Sequence, residues 1–389
     1  MHRMSAQWVA VIALLLASSG VAMAGGLGFS ADIGLEVTYA PVPPSYDITS
    51  ELTLGFAFTG VGLLSETAFN LSGFVSEDLT IAVDLGAVRI AEEIRFEPYF
   101  VWNDLSFDLS IVGIDIGMHW ILADIGGPQT PSYSTGIVFE LASHIACGFS
   151  ITSLTGFGAV DLVNLLGGIE APFSHELLAL FGHLDSLCAE TDGLDVTIVG
   201  GFYFEEELVR LQVDYLGMMA SNTTWFDAYG LDKMLFELGY RFDDPAFRFL
   251  TTMTLDGTFG IVGAGFILDL EIAAVRFTSS TTFAAPTVPT VIPVAFSGQE
   301  FGVSFAVCGV LVTSATSFDE VFLFSEERIA IEAAFGPVTF VSLTTFDAGG
   351  FAEQCVCAKV TFSGVVLFTH IEFDFAGIEL VTFGFHFAI

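Results

Sequence analysis

The chain is 389 residues long and carries 46 acidic against 10 basic residues, a formal net charge of −36. That excess of carboxylates excludes nucleic acid as a partner. Acidic chains are often disordered for want of apolar residues, but 53% of this one is hydrophobic and 41 residues are Phe, which excludes disorder as well.

Residues 1–24 read as a secretory signal peptide. Arg3 gives the positive start, Trp8 to Leu16 the short apolar run, and Ala22-Met23-Ala24 a small-x-small cleavage site in which Ala22 and Ala24 are the recognised residues. Residues 25–389 then form the mature protein. Arg3 leaves with the leader, so 46 acidic residues face 9 basic ones. No mature stretch reaches the ~18 unbroken apolar residues of a spanning helix.

From Leu27 to about Phe157 the chain is strand-rich. Between Val75 and Gly86, one face reads Val75, Glu77, Leu79, Ile81, Val83 and Leu85, and the other Ser76, Asp78, Thr80, Ala82, Asp84 and Gly86. After Asp104, Leu105, Phe107, Leu109 and Ile111 alternate with Ser106, Asp108 and Ser110. Side chains of a strand point alternately to opposite faces, so each segment has one apolar and one polar face. Residues 159–189 break this pattern. Leu162, Leu165 and Leu166, then Leu177, Leu178, Phe181 and Leu184, recur at helical spacing, with Ser174 as the expected cap of the second run and Glu176 in its first turn. Three placements stay open for 159–195: a plug inside a barrel, a rim segment, or further strand. Strands resume at Asp195, and Asn222–Asp232, with Trp225, Phe226 and Tyr229, reads as a loop or interface crossing.

The C-terminal part carries a repeat. Thr316-Ser317-Phe318-Asp319, Thr344-Thr345-Phe346-Asp347 and Ile371-Glu372-Phe373-Asp374 place Phe residues 28 and 27 apart. Thr281-Thr282-Phe283, Met253-Thr254-Leu255-Asp256, Thr67-Ala68-Phe69-Asn70 and Ile94-Arg95-Phe96-Glu97 keep the same rhythm. A fixed period of this size in a β-rich chain is one hairpin used repeatedly. Asp or Asn after the anchor Phe is turn chemistry. High hydropathy without a spanning helix, together with two-faced strands, points to a closed antiparallel transmembrane β-barrel, because only helices and closed barrels satisfy every backbone group in lipid. Setting aside the irregular-looking segments 159–195 and 218–240 and allowing about 14 residues per strand gives about 22 strands, in an expected range of 20–24.

In the last strand, Phe383, Phe385, Phe387 and Ile389 share one face. Gly384, Phe387 and Ile389 stand sixth from last, third from last and last. This ending resembles the C-terminal insertion signal of bacterial outer-membrane β-barrel proteins of the porin kind, with Ile389 where that family usually has an aromatic residue. The resemblance implies insertion by the barrel assembly machinery, with Gly384, Phe387 and Ile389 as the assembly signal. It also implies residence in the outer membrane of a double-membraned bacterium.

Little in the chain suggests catalysis. Five Cys follow the leader: Cys147, Cys188, Cys308, Cys355 and Cys357. An odd number leaves at least one unpaired. Cys147 and Cys188 bracket the irregular segment as a candidate bridge, while Cys355 and Cys357 read as small lumen residues. The pairs His144–Cys147 and His175–His183, and the acidic run Asp185, Glu190, Asp192 and Asp195, match no ordered ligand spacing, so neither a metal nor a cofactor is expected. His119 beside Asp115 and His370 beside Asp374 lie on polar strand faces, and no Gly-x-Ser-x-Gly elbow accompanies them.

The polar faces carry Asp78, Asp84, Asp104, Asp108, Asp115, Asp269, Glu271, Glu332, Glu372 and Asp374 as pore-lining acids, with Arg328 as a rare opposing charge. The expected protein is therefore a non-enzymatic outer-membrane pore or passive channel, weakly cation-preferring. Its expected partners are outer-membrane lipid and small cationic or neutral solutes. A secreted or surface-layer, adhesin-type β protein shares the alternation and the leader, and it is favoured by the scarcity of Tyr (8) and Trp (4) for membrane girdles. A barrel transporter for hydrophobic substrates, or a barrel hydrolase with a His–Asp pair on its wall, is the third reading. Oligomeric state has no signature in the sequence.

Overall fold

The computed structural model describes residues 27–41, 44–124, 126, 130–145, 148–160, 172–187, 198–243, 246–286 and 294–388. The leader with Ala22 and Ala24, the terminal Ile389, Cys147, Cys188, Glu190, Asp192 and Asp195 lie outside them. Among the described residues one sheet of 22 strands runs from β1 (Leu27–Pro41) to β22 (Gly377–Ala388). Every strand pairs antiparallel with its chain neighbour, and β1 pairs with β22 from Asp32↔Ala388 to Tyr39↔Val381, which closes the barrel. Nine strands precede the insertion, ending with β9 (Phe149–Val160), and β10 (Ile198–Tyr215) follows it. Among the described residues two short helices lie between, α1 (Pro172–Leu177) and α2 (Ala179–Ser186).

The two rims are built differently. On the rim where the chain enters and leaves, Thr59-Gly60, Val112-Gly113, Leu216-Gly217, Cys308-Gly309 and Ser363-Gly364 all have positive φ at both positions. That is the mirror-image turn whose twist matches paired strands, and Gly takes its second place without steric cost. On the opposite rim the strands end in Asp or Asn. Asn70, Asp227, Asp256, Asp319, Asp347 and Asp374 each accept the backbone N–H two residues on, at 2.6–3.0 Å. Just before these turns the register slips by one residue at Phe69, Phe226, Leu255, Phe318, Phe346 and Phe373. The sequence repeat is therefore an Asx turn followed by a bulge on the returning strand. Replacing Asp347 with alanine is expected to remove one such bond, at a cost of about 1 kcal/mol. The check is a lower temperature for loss of the folded band in SDS with unchanged conductance.

Alternation already places each anchor Phe on the outer face, and the bulge on the following strand turns its partner Phe outward, so the two rings meet across the hairpin. Phe69–Phe74, Phe96–Phe100, Phe283–Phe296 and Phe346–Phe351 sit edge to face with centroids 6.1–6.2 Å apart. Phe thus supplies the aromatic band near this rim, which answers the scarcity of Tyr and Trp. Below it the outer wall is apolar, with Leu63, Ile90, Phe139, Leu238, Phe266, Phe301, Ile331, Phe340, Leu367 and Phe385 all exposed. One expectation is corrected: residues 218–240 are regular. They form β11 (Met218–Asp227) and most of β12 (Gly230–Asp243), because Trp225 and Thr223 face inward while Phe226 and Thr224 do not.

Candidate functional site: the lumen and its helical insertion

The helices pack on inward-facing residues of the wall. Phe173 and Leu177 are buried with Met219, Leu250 and Ile267, and Leu180, Phe181 and Leu184 with Ala315, Ala330 and Leu343. Gly302 faces Leu180 and Phe181 so closely that a Cβ there would run into both, so its lack of a side chain makes room for α2. The cap of α1 comes from the wall and not from Ser174. Glu237, 2% exposed, accepts the Ser174 N–H at 2.8 Å, the Phe173 N–H at 3.3 Å, the Ser174 hydroxyl at 2.7 Å and the Ser221 hydroxyl at 2.6 Å. At the other end of α1 the Arg276 guanidinium donates to the Leu177 carbonyl at 3.3 Å. On α2, His183 Nε2 lies 2.6 Å from Glu332 Oε1.

A ladder of charges runs along the wall under α1. Asp214 pairs with Arg241 at 2.9 Å, Glu176 with Arg248 at 2.6 Å, and Asp269 with both Arg248 and Arg276 at 2.8 Å. The reading of Arg328 as a rare cation on the polar faces is thus wrong. By strand register Arg89, Arg95, Arg210, Lys233, Arg241, Arg248, Arg276 and Lys359 share the inner face with it. A charge facing lipid costs about 2–4 kcal/mol at the midplane for Arg or Lys, which is the physical reason for this segregation. Arg328 itself pairs with Glu300 at 3.2 Å and Glu326 at 3.0 Å.

The ten predicted acids do not form one ring. Asp78, Asp104, Asp108 and Asp115 share the inner wall between β3 (Val61–Asn70) and β8 (Tyr133–Ile145) with Glu66, Glu93 and Glu140, which sequence reasoning missed. In register, Asp78 lies between Glu66 and Arg95, and Glu93 lies beside Asp104. Asp269 and Glu332 are taken up by Arg and His partners around the helices. Glu271 stands opposite Arg276. Asp84 and Asp374 cap rim turns, accepting the N–H groups of Gly86 at 2.8 Å and Ala376 at 2.7 Å.

The histidines have partners other than those read from the sequence. His119 Nδ1 meets Asp104 at 2.9 Å and His370 Nε2 meets Glu372 at 2.9 Å, across and along strands. Cys355 is disulfide-bonded, so its reading as a plain small residue fails; Cys308 and Cys357 are free. A further inward sector, Trp102, Ile121, Val138, Leu154, Leu208 and Trp225, is apolar and buried. Alternation alone hid it, because the inner face was read as uniformly polar. At the end of the chain, Gly384 lies under the Phe368 ring, which stacks on His386 at 5.5 Å and occupies the place of a Cβ.

No protein-family model matches the chain, and no curated protein matches it in sequence. Among solved structures, the copper transporter OprC aligns over 94% of this chain and 81% of its own, at 8% identity and a TM-score of 0.53. A mutant of the Rh. blastica porin aligns over 93% of this chain and 100% of its own, at 10% identity and a TM-score of 0.38. The similarity to OprC is one of fold.

Proposed function

We propose that this chain, with the closed 22-stranded fold of outer-membrane, porin-like barrels, resides in the outer membrane of a double-membraned bacterium and acts there as a channel. It passes small cationic or neutral solutes with a weak preference for cations. The observation that carries this reading is the division of charge inside the lumen. The arginines of β12, of β13 (Ala246–Asp256) and of β15 (Val275–Ala284) are engaged by Asp214, Glu176 and Asp269 beneath the helices. The wall from β3 to β8 presents Glu66, Asp78, Glu93, Asp104, Asp108, Asp115 and Glu140, with Arg89 and Arg95 among them. Carboxylates along one side of a lumen raise the local cation concentration and repel anions. OprC, a copper transporter of similar fold, accords with a transport role for this chain.

Reconstitution in a planar bilayer under a potassium chloride gradient tests the proposal. A reversal potential of cation-preferring sign is expected, shrinking as salt approaches molar and the screening length falls to about 3 Å. The substitutions Glu66→Gln, Glu93→Gln and Asp108→Asn together are expected to move it toward zero. An anion-preferring potential, or no conductance even after the helical insertion is released, would remove the channel reading.

A further inference from the structure

Two neighbouring strands bring three metal-type donors, from Cys355, Cys357 and His370, within 4.8 Å of one another on the inner wall, with Glu372 beside the imidazole. On β20 (Gly350–Phe362), Cys355 and Cys357 are two apart and both face inward. On β21 (Val365–Asp374), His370 stands opposite Cys357 and Glu372 opposite Cys355. Cys355 Sγ lies 3.7 Å from Cys357 Sγ and 3.5 Å from His370 Nε2, and His370 Nε2 lies 2.9 Å from Glu372 Oε1. A tetrahedral centre with Zn–S near 2.3 Å and Zn–N near 2.0–2.1 Å requires sulfur–sulfur and sulfur–nitrogen separations of about 3.8 Å and about 3.6 Å. The observed spacings match both. The cluster opens on a recess of about 640 Å³ that Glu36, Lys359, Thr382 and His386 also line, so an ion in the lumen reaches it.

We propose that Cys355, Cys357 and His370, with Glu372 beside the imidazole, form a redox-gated site for a borderline-soft divalent ion of the zinc class. It goes beyond the channel reading and does not depend on it. In the oxidised protein Cys355 is held in a disulfide, and a disulfide sulfur is not the thiolate such ions require. A dithiol reductant opens the gate. Its two thiols become one disulfide, and the Cys355 disulfide becomes two thiols. Ion binding then releases the protons of the Cys355 and Cys357 thiols, leaving two thiolates and the imidazole as ligands. Cys357 and His370 keep their places in both states because the strand pairing, not the disulfide, sets their register.

The test is cobalt(II) titration of the full chain in detergent, before and after treatment with a dithiol. The reduced protein is expected to bind one cobalt with a thiolate-to-metal charge-transfer band. The oxidised protein is expected to lack that band and to bind at least about 10-fold more weakly. Cys357→Ser and His370→Gln should each lose about 10–100-fold in affinity. Cys308→Ser, at an exposed rim turn, should change nothing. Heat-modifiable mobility in SDS checks that each variant is folded. A reduced protein with no thiolate band, a band that survives Cys357→Ser, or equal binding by the oxidised form would overturn the site or its gate.

Discussion

Glu237→Ala is expected to detach the helical insertion from the barrel wall. The Glu237 carboxylate holds two backbone N–H groups and one hydroxyl of α1, and it is fixed in turn by Ser221. Hydrogen bonds to a charged acceptor contribute about 1.5–3 kcal/mol each, and donors left buried without a partner add a penalty of similar size. A loss on the order of 3 kcal/mol in the hold on α1 follows, equivalent to more than a hundredfold shift toward the released form. The expected readouts are faster proteolysis within residues 172–187 and a higher single-channel conductance. Glu237→Gln keeps an acceptor and should have a smaller effect. Unchanged conductance together with unchanged protection would mean that Phe173, Leu177, Leu180, Phe181 and Leu184 hold the helices by apolar contact alone.

Truncation after Gly377 is expected to abolish assembly altogether. The lost segment pairs with β1 over eight positions and with β21 along its other edge. Without it two strand edges face lipid, where each unsatisfied backbone group costs several kcal/mol. No heat-modifiable folded band and no membrane-integrated protein should be recovered. Gly384→Val separates the signal from mere length, since it keeps all 22 strands but drives a side chain into the Phe368 ring. Its expected outcome is a several-fold lower yield of folded barrel with residual conductance per channel unchanged. Membrane assembly of the truncated chain at normal yield would contradict both the closure argument and the proposed role of Gly384 and Phe387.

What the sequence determined is local. Alternation between Ser76 and Asp84 reports two faces because the pleat has period two, whatever lies beyond. Asp319, Asp347 and Asp374 mark turns because their carboxylates reach only their own next residues. The 27–28-residue period is two strands plus two turns, so the strand number could be read from it. Tertiary structure decided what depends on distant partners. Ser174 has the chemistry of a cap, but Glu237, 63 residues away, does the capping. His183 meets Glu332 across 149 residues, and Arg276 reaches Leu177 across 99. The arginines looked rare when the polar faces were read singly. Closing the sheet collects them, since charge is expensive everywhere but the lumen. Cys355 and Cys357 looked inert because half of their cluster, His370 and Glu372, is supplied by the next strand. Pleat and turn energetics act between chain neighbours, whereas lumen contacts are set by the curvature and register of a closed sheet, which no short window of sequence contains.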